Sequence, residues 1–487
     1  MAGQAAEGTH PGRAGHVAGG GADPGEAQPG LSEAARVPAA AQEAGSPPGP
    51  EPAPDAGPGP DAAARGASGP GRLQTFRSLS TRNYRLFASG QVVSNTGTWM
   101  QRVAQDWLVL ELTHGSGTAL GLAIGLQFLP QLMFSLWGGV IADRYRKRNI
   151  LLATQTLMGV LALVLGVLAL TGAVAVWQVY LLAFALGMVA VVDNPARQTF
   201  VAEMVGREGL ANAVALNSAT FNLARITGPA VAGLVIGAVG VPAAFLINAA
   251  SYGAVLIGLK LMRVGELRPM TPVPRARGQL REALGYVKAR PELWLTLVLV
   301  FFVATFGMNF QVTTALMSRG VFHMGASEFG LASAMYAFGA LGGALVAARR
   351  ARPSMRLLLT GAFAFGVLEA VAGVMPVFWL FLVMLVPTGL AVMMFTTTAN
   401  SATQLSTTAA VRGRVMGLYM LVFLGGAPLG SPMVGWVAEQ FGARMSLISG
   451  GVISAVAAVG VALLLARARG MPARSYLRRA IPARSAA

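Results

Sequence analysis

The chain has 487 residues, 54% of them apolar and 12% charged, with 37 Lys/Arg against 20 Asp/Glu and no cysteine. A soluble domain carries about a quarter charged residues, so a water-soluble enzyme is excluded and a polytopic membrane protein is expected. The missing cysteines exclude disulfides, thiolate metal sites and cysteine nucleophiles.

Residues 1–71 hold 16 Gly and 12 Pro and no Phe, Trp or Tyr. Such a segment cannot bury a core, which predicts a disordered Gly/Pro/Ala-rich tail over 1–75. No apolar run follows Met1, so a signal peptide is not expected.

From Leu86 the composition changes to apolar runs long enough for helices that cross about 30 Å of hydrocarbon. Twelve are predicted: 86–110, 118–141, 149–172, 176–193, 213–238, 242–262, 293–317, 327–348, 356–375, 377–400, 415–437 and 445–466. The longest connector, 263–292, is charged and carries Pro269, Pro272 and Pro274. It divides the chain into an N-terminal six-helix bundle over 80–262 and a C-terminal one over 293–466, followed by a basic tail over 467–487. From residue 72 onward the net charge is +22, and 30 of the 34 Lys/Arg lie in the tails and even-numbered connectors. Basic loops stay cytoplasmic, so both termini are expected inside a multi-pass plasma-membrane protein. The positive charge is thus an orientation signal, and no nucleic-acid partner is expected.

The halves resemble each other. Gly138-Gly139 recurs as Gly342-Gly343 and Asn194 as Asn400, at offsets of 204 and 206. The expected fold is therefore all-α, with twelve transmembrane helices in two pseudo-symmetric six-helix bundles. Internal duplication of this kind is common in secondary transporters, whose site lies between the halves near the midplane. A monomer in the lipid bilayer, acting on a small molecule, is expected.

The first span is unusually polar. At about 100° per residue, Gln91, Asn95, Trp99, Arg102 and Asp106 fall within an arc of roughly 80°. Each uncompensated charge facing lipid costs about 2.5–3.5 kcal/mol, so this face either lines a watery cavity or forms a helix–helix hydrogen-bonding seam. Arg102 and Asp106 stand four residues apart and can pair. In the fifth span Arg225 lies too deep to reach either surface, and Gly228, Pro229 and Gly233 follow it. Pro frees a backbone carbonyl and Gly permits close approach of a neighbouring helix. Glu369 stands alone in the ninth span, either as a proton carrier or as a peripheral buried acid. The four histidines all lie outside the spans, so any embedded proton carrier must be a carboxyl. Thr305, Asn309 and Thr313, at four-residue spacing, suit a polar wall opposite the first span.

After the second span the chain reads Gly139-Val-Ile-Ala-Asp143-Arg144-Tyr-Arg-Lys147-Arg148. This resembles the loop signature of the major facilitator superfamily, with Arg146 standing where a glycine is usual. The resemblance implies that Gly139 lets helix 2 approach helix 11. Asp143 would meet the start of helix 11, with Arg144 and Arg148 nearby and Arg412 and Arg414 as partners in a cytoplasmic gate. Gly228-Pro229-x-x-Ala232-Gly233 resembles the Gly-Pro element of the superfamily's antiporters. The stretch from Asp193 through Arg197 to Asn217 is similar to the branch of enterobactin exporters and macrolide-efflux permeases. Together these imply proton-coupled efflux of a small amphipathic molecule, such as a drug or siderophore, by alternating access. A metabolite importer of the same fold, or a transport-inactive membrane sensor, remain the alternatives. No Gly-Lys pair occurs, so no phosphate-binding loop is present to use ATP. Neither cofactor nor metal is expected.

Overall fold

A computed structural model describes residues 76–268, 279–349 and 354–468. The N-terminal tail over 1–75, the three linker prolines and residues 469–487 lie outside the described residues. Thirteen helices are described: α1 (Arg82–Leu112), α2 (Gly117–Arg144), α3 (Lys147–Leu170), α4 (Val176–Gly206), α5 (Glu208–Val239), α6 (Val241–Leu261), α7 (Gln279–Lys288), α8 (Pro291–Val321), α9 (Ala326–Ala348), α10 (Met355–Gly373), α11 (Phe378–Leu405), α12 (Ala409–Phe441) and α13 (Ala443–Ala468). Eleven are long and apolar enough to cross a membrane. The polar α1, with 31 residues, is the twelfth by length and position. The remaining helix, α7, is short and amphipathic and lies within the expected linker.

The predicted spans hold, but two helices run well past their expected ends. α4 continues from 193 to 206 and α11 from 400 to 405, because hydropathy stops at the first charged or amide residue whereas the hydrogen-bonded backbone does not. Gly206, at φ 69°, is where α4 turns into α5. That left-handed conformation strains any residue with a Cβ.

Large apolar side chains such as Leu163, Leu181, Leu234, Val383 and Val456 point outward from the bundle. This is the distribution expected when the surrounding solvent is hydrocarbon.

Packing repeats between the halves. In the first half α1 packs on α5 and α6, α2 on α4, and α3 on α6. In the second half α8 packs on α12 and α13, α9 on α11, and α10 on α13. The repeated glycine pairs serve like seams, but through different members, since Gly343 is the counterpart of Gly139. A Cβ on Gly138 would strike the Val191 carbonyl of α4, and one on Gly343 would strike the Leu390 carbonyl of α11.

Two seams join the halves, α2 with α12 and α5 with α9. Both are tight at the end remote from the basic connectors. A Cβ on Gly117 would lie 2.5 Å from the Gly435 carbonyl oxygen, and one on Gly233 would lie 2.8 Å from that of Ser327. There Ser116 Oγ and the Thr118 amide both donate to Glu439 Oε2 at 3.0 Å. Ser327 Oγ donates to the Gly233 carbonyl at 2.9 Å, and Trp107 stacks on Phe329 with centroids 6.2 Å apart. One apolar cluster at this end includes Leu108, Val109, Val312, Phe329 and Val434, from both halves. At the basic end Gly413 and Gly417 of α12 have nothing within 4 Å of where a Cβ would stand. The halves are therefore closed against each other at the remote end.

Candidate functional site

Two cavities flank the side chains of Trp99 and Arg102, which line both. The first, of about 410 Å³, lies between the halves. α1 contributes Arg102 and Asp106 to it, α5 contributes Arg225 and Pro229, and α8, α9, α11 and α12 supply a mainly apolar wall. The second, of about 390 Å³, is cut mostly into the first half and is richer in amides: Asn95, Gln127, Gln131, Gln155, Asn194 and Gln198. The polar arc read from α1 thus faces cavities, with Asn95, Trp99, Arg102 and Asp106 all in their walls.

The expected pairing of Arg102 with Asp106 does not form, since no ion pair joins them within 4 Å. The Arg102 guanidinium instead stacks over Trp99, 4.5 Å from its ring centroid, with Phe128 at 5.7 Å. Aromatic faces attract the cation but accept no ordinary hydrogen bond. Arg102 Nε, Asp106 Oδ2, and Nε and Nη2 of Arg225 are all buried with no hydrogen-bond partner. Asp106 is 2% exposed.

Asn309 is misplaced by the spacing argument. α8 is interrupted by a π turn over Val303–Gly307, and Met308 and Asn309 leave helical geometry before Phe310–Leu316 resumes. Glycines Gly426 and Gly430 of α12 and Gly450 of α13 accommodate this widened backbone, since a Cβ on each would collide with Ala304, Thr305 or Phe306. The break rotates the register, so Asn309 turns into the seam with α12. Its Nδ2 donates to the Thr305 carbonyl at 2.7 Å, and its Oδ1 accepts from Ser431 Oγ at 3.0 Å. Gln311 and Thr314 take the cavity wall instead.

Glu369 is also set behind the wall. It is 1% exposed and wedged between the break in α8 and Gly450 of α13, with Oε2 lacking a hydrogen-bond partner.

A site missed in sequence lies in the second half of α4. Asp193, fully buried, accepts from Thr154 Oγ1 at 2.7 Å and Gln155 Nε2 at 2.8 Å, and forms an ion pair with Arg197 one turn along. Arg197 also donates to Gln91 Oε1 at 3.3 Å and lines the second cavity. The Asp-x-x-x-Arg spacing was a signal for a pair on one helix face.

Around the loop after α2, Lys147 pairs with Glu203 at 3.4 Å and Arg148 Nε donates to the Leu259 carbonyl at 2.8 Å. Asp143 is half-buried, Arg144 is exposed, Gly139 is buried, and Arg412 donates to the Thr407 carbonyl at 3.3 Å. The close approach of α2 to α12 is made through Gly117, Gly121 and Gly125, at the remote end. Gly228 presses against Trp99 of α1, while Gly233 meets α9.

The family model for transmembrane secretion effectors matches residues 73–480. The chain is 26% identical over 366 residues to the staphyloferrin A transporter of Staphylococcus aureus, covering 73% of this chain and 89% of that protein. It is 27% identical over 380 residues to the multidrug efflux pump Tap of Mycolicibacterium fortuitum, covering 75% and 90%. Among solved structures it resembles an inward-facing bacterial homologue of the lysosomal transporter Spinster. There the TM-score is 0.66 at 15% identity, covering 81% of this chain and 98% of that one. Twelve crossing helices in two like bundles around a shared cavity are thus matched, along nearly their whole length, by membrane transporters rather than enzymes. The chain belongs to the transmembrane secretion effector family of the major facilitator superfamily.

Proposed function

We propose that the chain exports small amphipathic organic molecules from the cell by proton antiport, with alternating access to its central cavity. The observation that carries this reading is a cavity of mixed character between two halves that are closed at one end only. With the basic end cytoplasmic, this is an inward-facing arrangement ready to take cargo from inside. The relatives, a siderophore transporter and a multidrug efflux pump, support export. Among the described residues, Asp106 in the cavity and Glu369 behind it are the embedded carboxyls lacking a partner for one oxygen, and one of them would carry the proton. In the outward-facing arrangement Asp143 would meet the start of α12. Its free N–H groups and the cations Arg412 and Arg414 favour an anion there, which would latch the cytoplasmic side. Gly228, Pro229 and Gly233 would keep the opposite seam tight while the cavity faces inward.

The test is extrusion of a fluorescent amphipathic dye from cells expressing the full chain, before and after an uncoupler collapses the proton gradient. Extrusion should stop when the gradient is lost. Extrusion that continues unchanged sinks proton coupling, and the absence of any extrusion sinks export.

A further inference from the structure

We infer that the cargo of the central cavity is an organic anion with an apolar body, held at its charged group by Arg102 and Arg225. The inference rests on reading this cavity as the transport path and adds to it the charge class of the cargo. Three ionisable side chains with a basic or acidic group line the cavity: Arg102, Arg225 and Asp106. The arginine of the adjoining cavity, Arg197, is paired with Asp193. Two arginines therefore share the cavity with one carboxyl group, and neither comes within ion-pair distance of it. Both guanidinium groups keep buried N–H donors without acceptors, in a wall otherwise built from residues such as Val103, Met308, Phe310, Phe329 and Phe423.

An unpaired buried cation is costly, and the cost is relieved by a ligand that brings the missing acceptors. The planar fork of Arg suits carboxylate, sulfonate or phosphate oxygens. A cationic amphipath would meet the same two arginines as repulsion. The volume of about 410 Å³ admits a molecule of drug size.

The experiment uses the full chain in phosphatidylcholine nanodiscs and three probes that share one pyrene body: pyrenebutyrate, its primary amide and pyrenebutylamine. Affinities are measured by equilibrium dialysis against empty nanodiscs. Pyrenebutyrate should bind about tenfold or more tighter than the amide, and the amine more weakly than the amide. Arg102→Gln and Arg225→Gln should each cut the butyrate-to-amide preference by about tenfold, whereas Arg225→Lys should retain most of it. Asp106→Asn should raise it. An amine that binds tightest, a preference that survives both Gln replacements, or no binding of pyrenebutyrate overturns the inference. So does a preference abolished by adding phosphatidylglycerol, which would assign the arginines to lipid headgroups. Extrusion of the amine from cells would leave the export reading standing while this one fails. Binding as expected without extrusion of pyrenebutyrate would do the reverse.

Discussion

Replacing Asp193 by Asn tests whether the buried ion pair on α4 organises the second cavity. The native carboxylate accepts two neutral hydrogen bonds and one charged one. An Asn oxygen can still accept from Thr154 and Gln155, but its amide nitrogen then faces the Arg197 guanidinium, donor against donor. Breaking a buried pair by removing one partner costs about 3–5 kcal/mol. The Arg197 side chain is 24% exposed to the cavity, and water there softens the loss, so about 2–3 kcal/mol is expected. Thermal unfolding of the purified full chain should show Asp193→Asn clearly below wild type. The double variant with Arg197→Gln removes the stranded cation and should recover at least half of the loss, giving a coupling energy of about 1 kcal/mol or more. A single variant as stable as wild type would refute the reasoning. So would a double variant whose loss equals the sum of the two singles.

Gly435→Val places methyl groups against the Gly117 backbone and should oppose closure of the remote end by about 1–3 kcal/mol. The chain has no cysteine, so a single Ala438→Cys reporter in that seam should react about tenfold faster with a thiol reagent in the Val background. Ser431→Ala removes one hydrogen bond to Asn309 and should lower stability by about 0.5–1.5 kcal/mol without changing cargo preference. A changed preference would return Asn309 to the cavity wall. An anion bound beside Arg102 would repel the charged form of Asp106 and so favour keeping a proton there. The exchanged proton then falls to Glu369, and Glu369→Gln should leave binding intact while extrusion no longer drives proton movement. Proton flux persisting in that variant refutes this assignment.

The crossing helices were legible because a lipid-facing helix must be apolar over a fixed length, which is a property of the chain taken in order. The cavity face of α1 was legible for a related reason, since a polar arc at helical period has to avoid lipid. Both readings fail where the answer depends on a neighbour. Asp193 looks like the end of a span until Thr154 and Gln155, about forty residues upstream, supply its hydrogen bonds. Asn309 lies on the expected stripe only if α8 is regular. The break that turns it away is accommodated by glycines of α12 and α13, more than 115 residues downstream. Arg102 and Asp106 have the spacing of a pair, yet Trp99 and Phe128 draw the cation aside.

The uneven contacts of α12 have a mechanical consequence. Near Gly430 and Gly435 its backbone bears directly on other backbones, while a Cβ on Gly413, 22 residues away, would meet nothing within 4 Å. At 1.5 Å per residue the arm between Gly413 and Gly435 is about 33 Å long. A tilt of roughly 10° about the glycine contact would sweep its far end through about 6 Å, while the contact itself slips by about an ångström. The contact is then a fulcrum. Its residues cannot grow without jamming the lever, whereas Gly413 and Gly417 at the far end have open space where a side chain would stand.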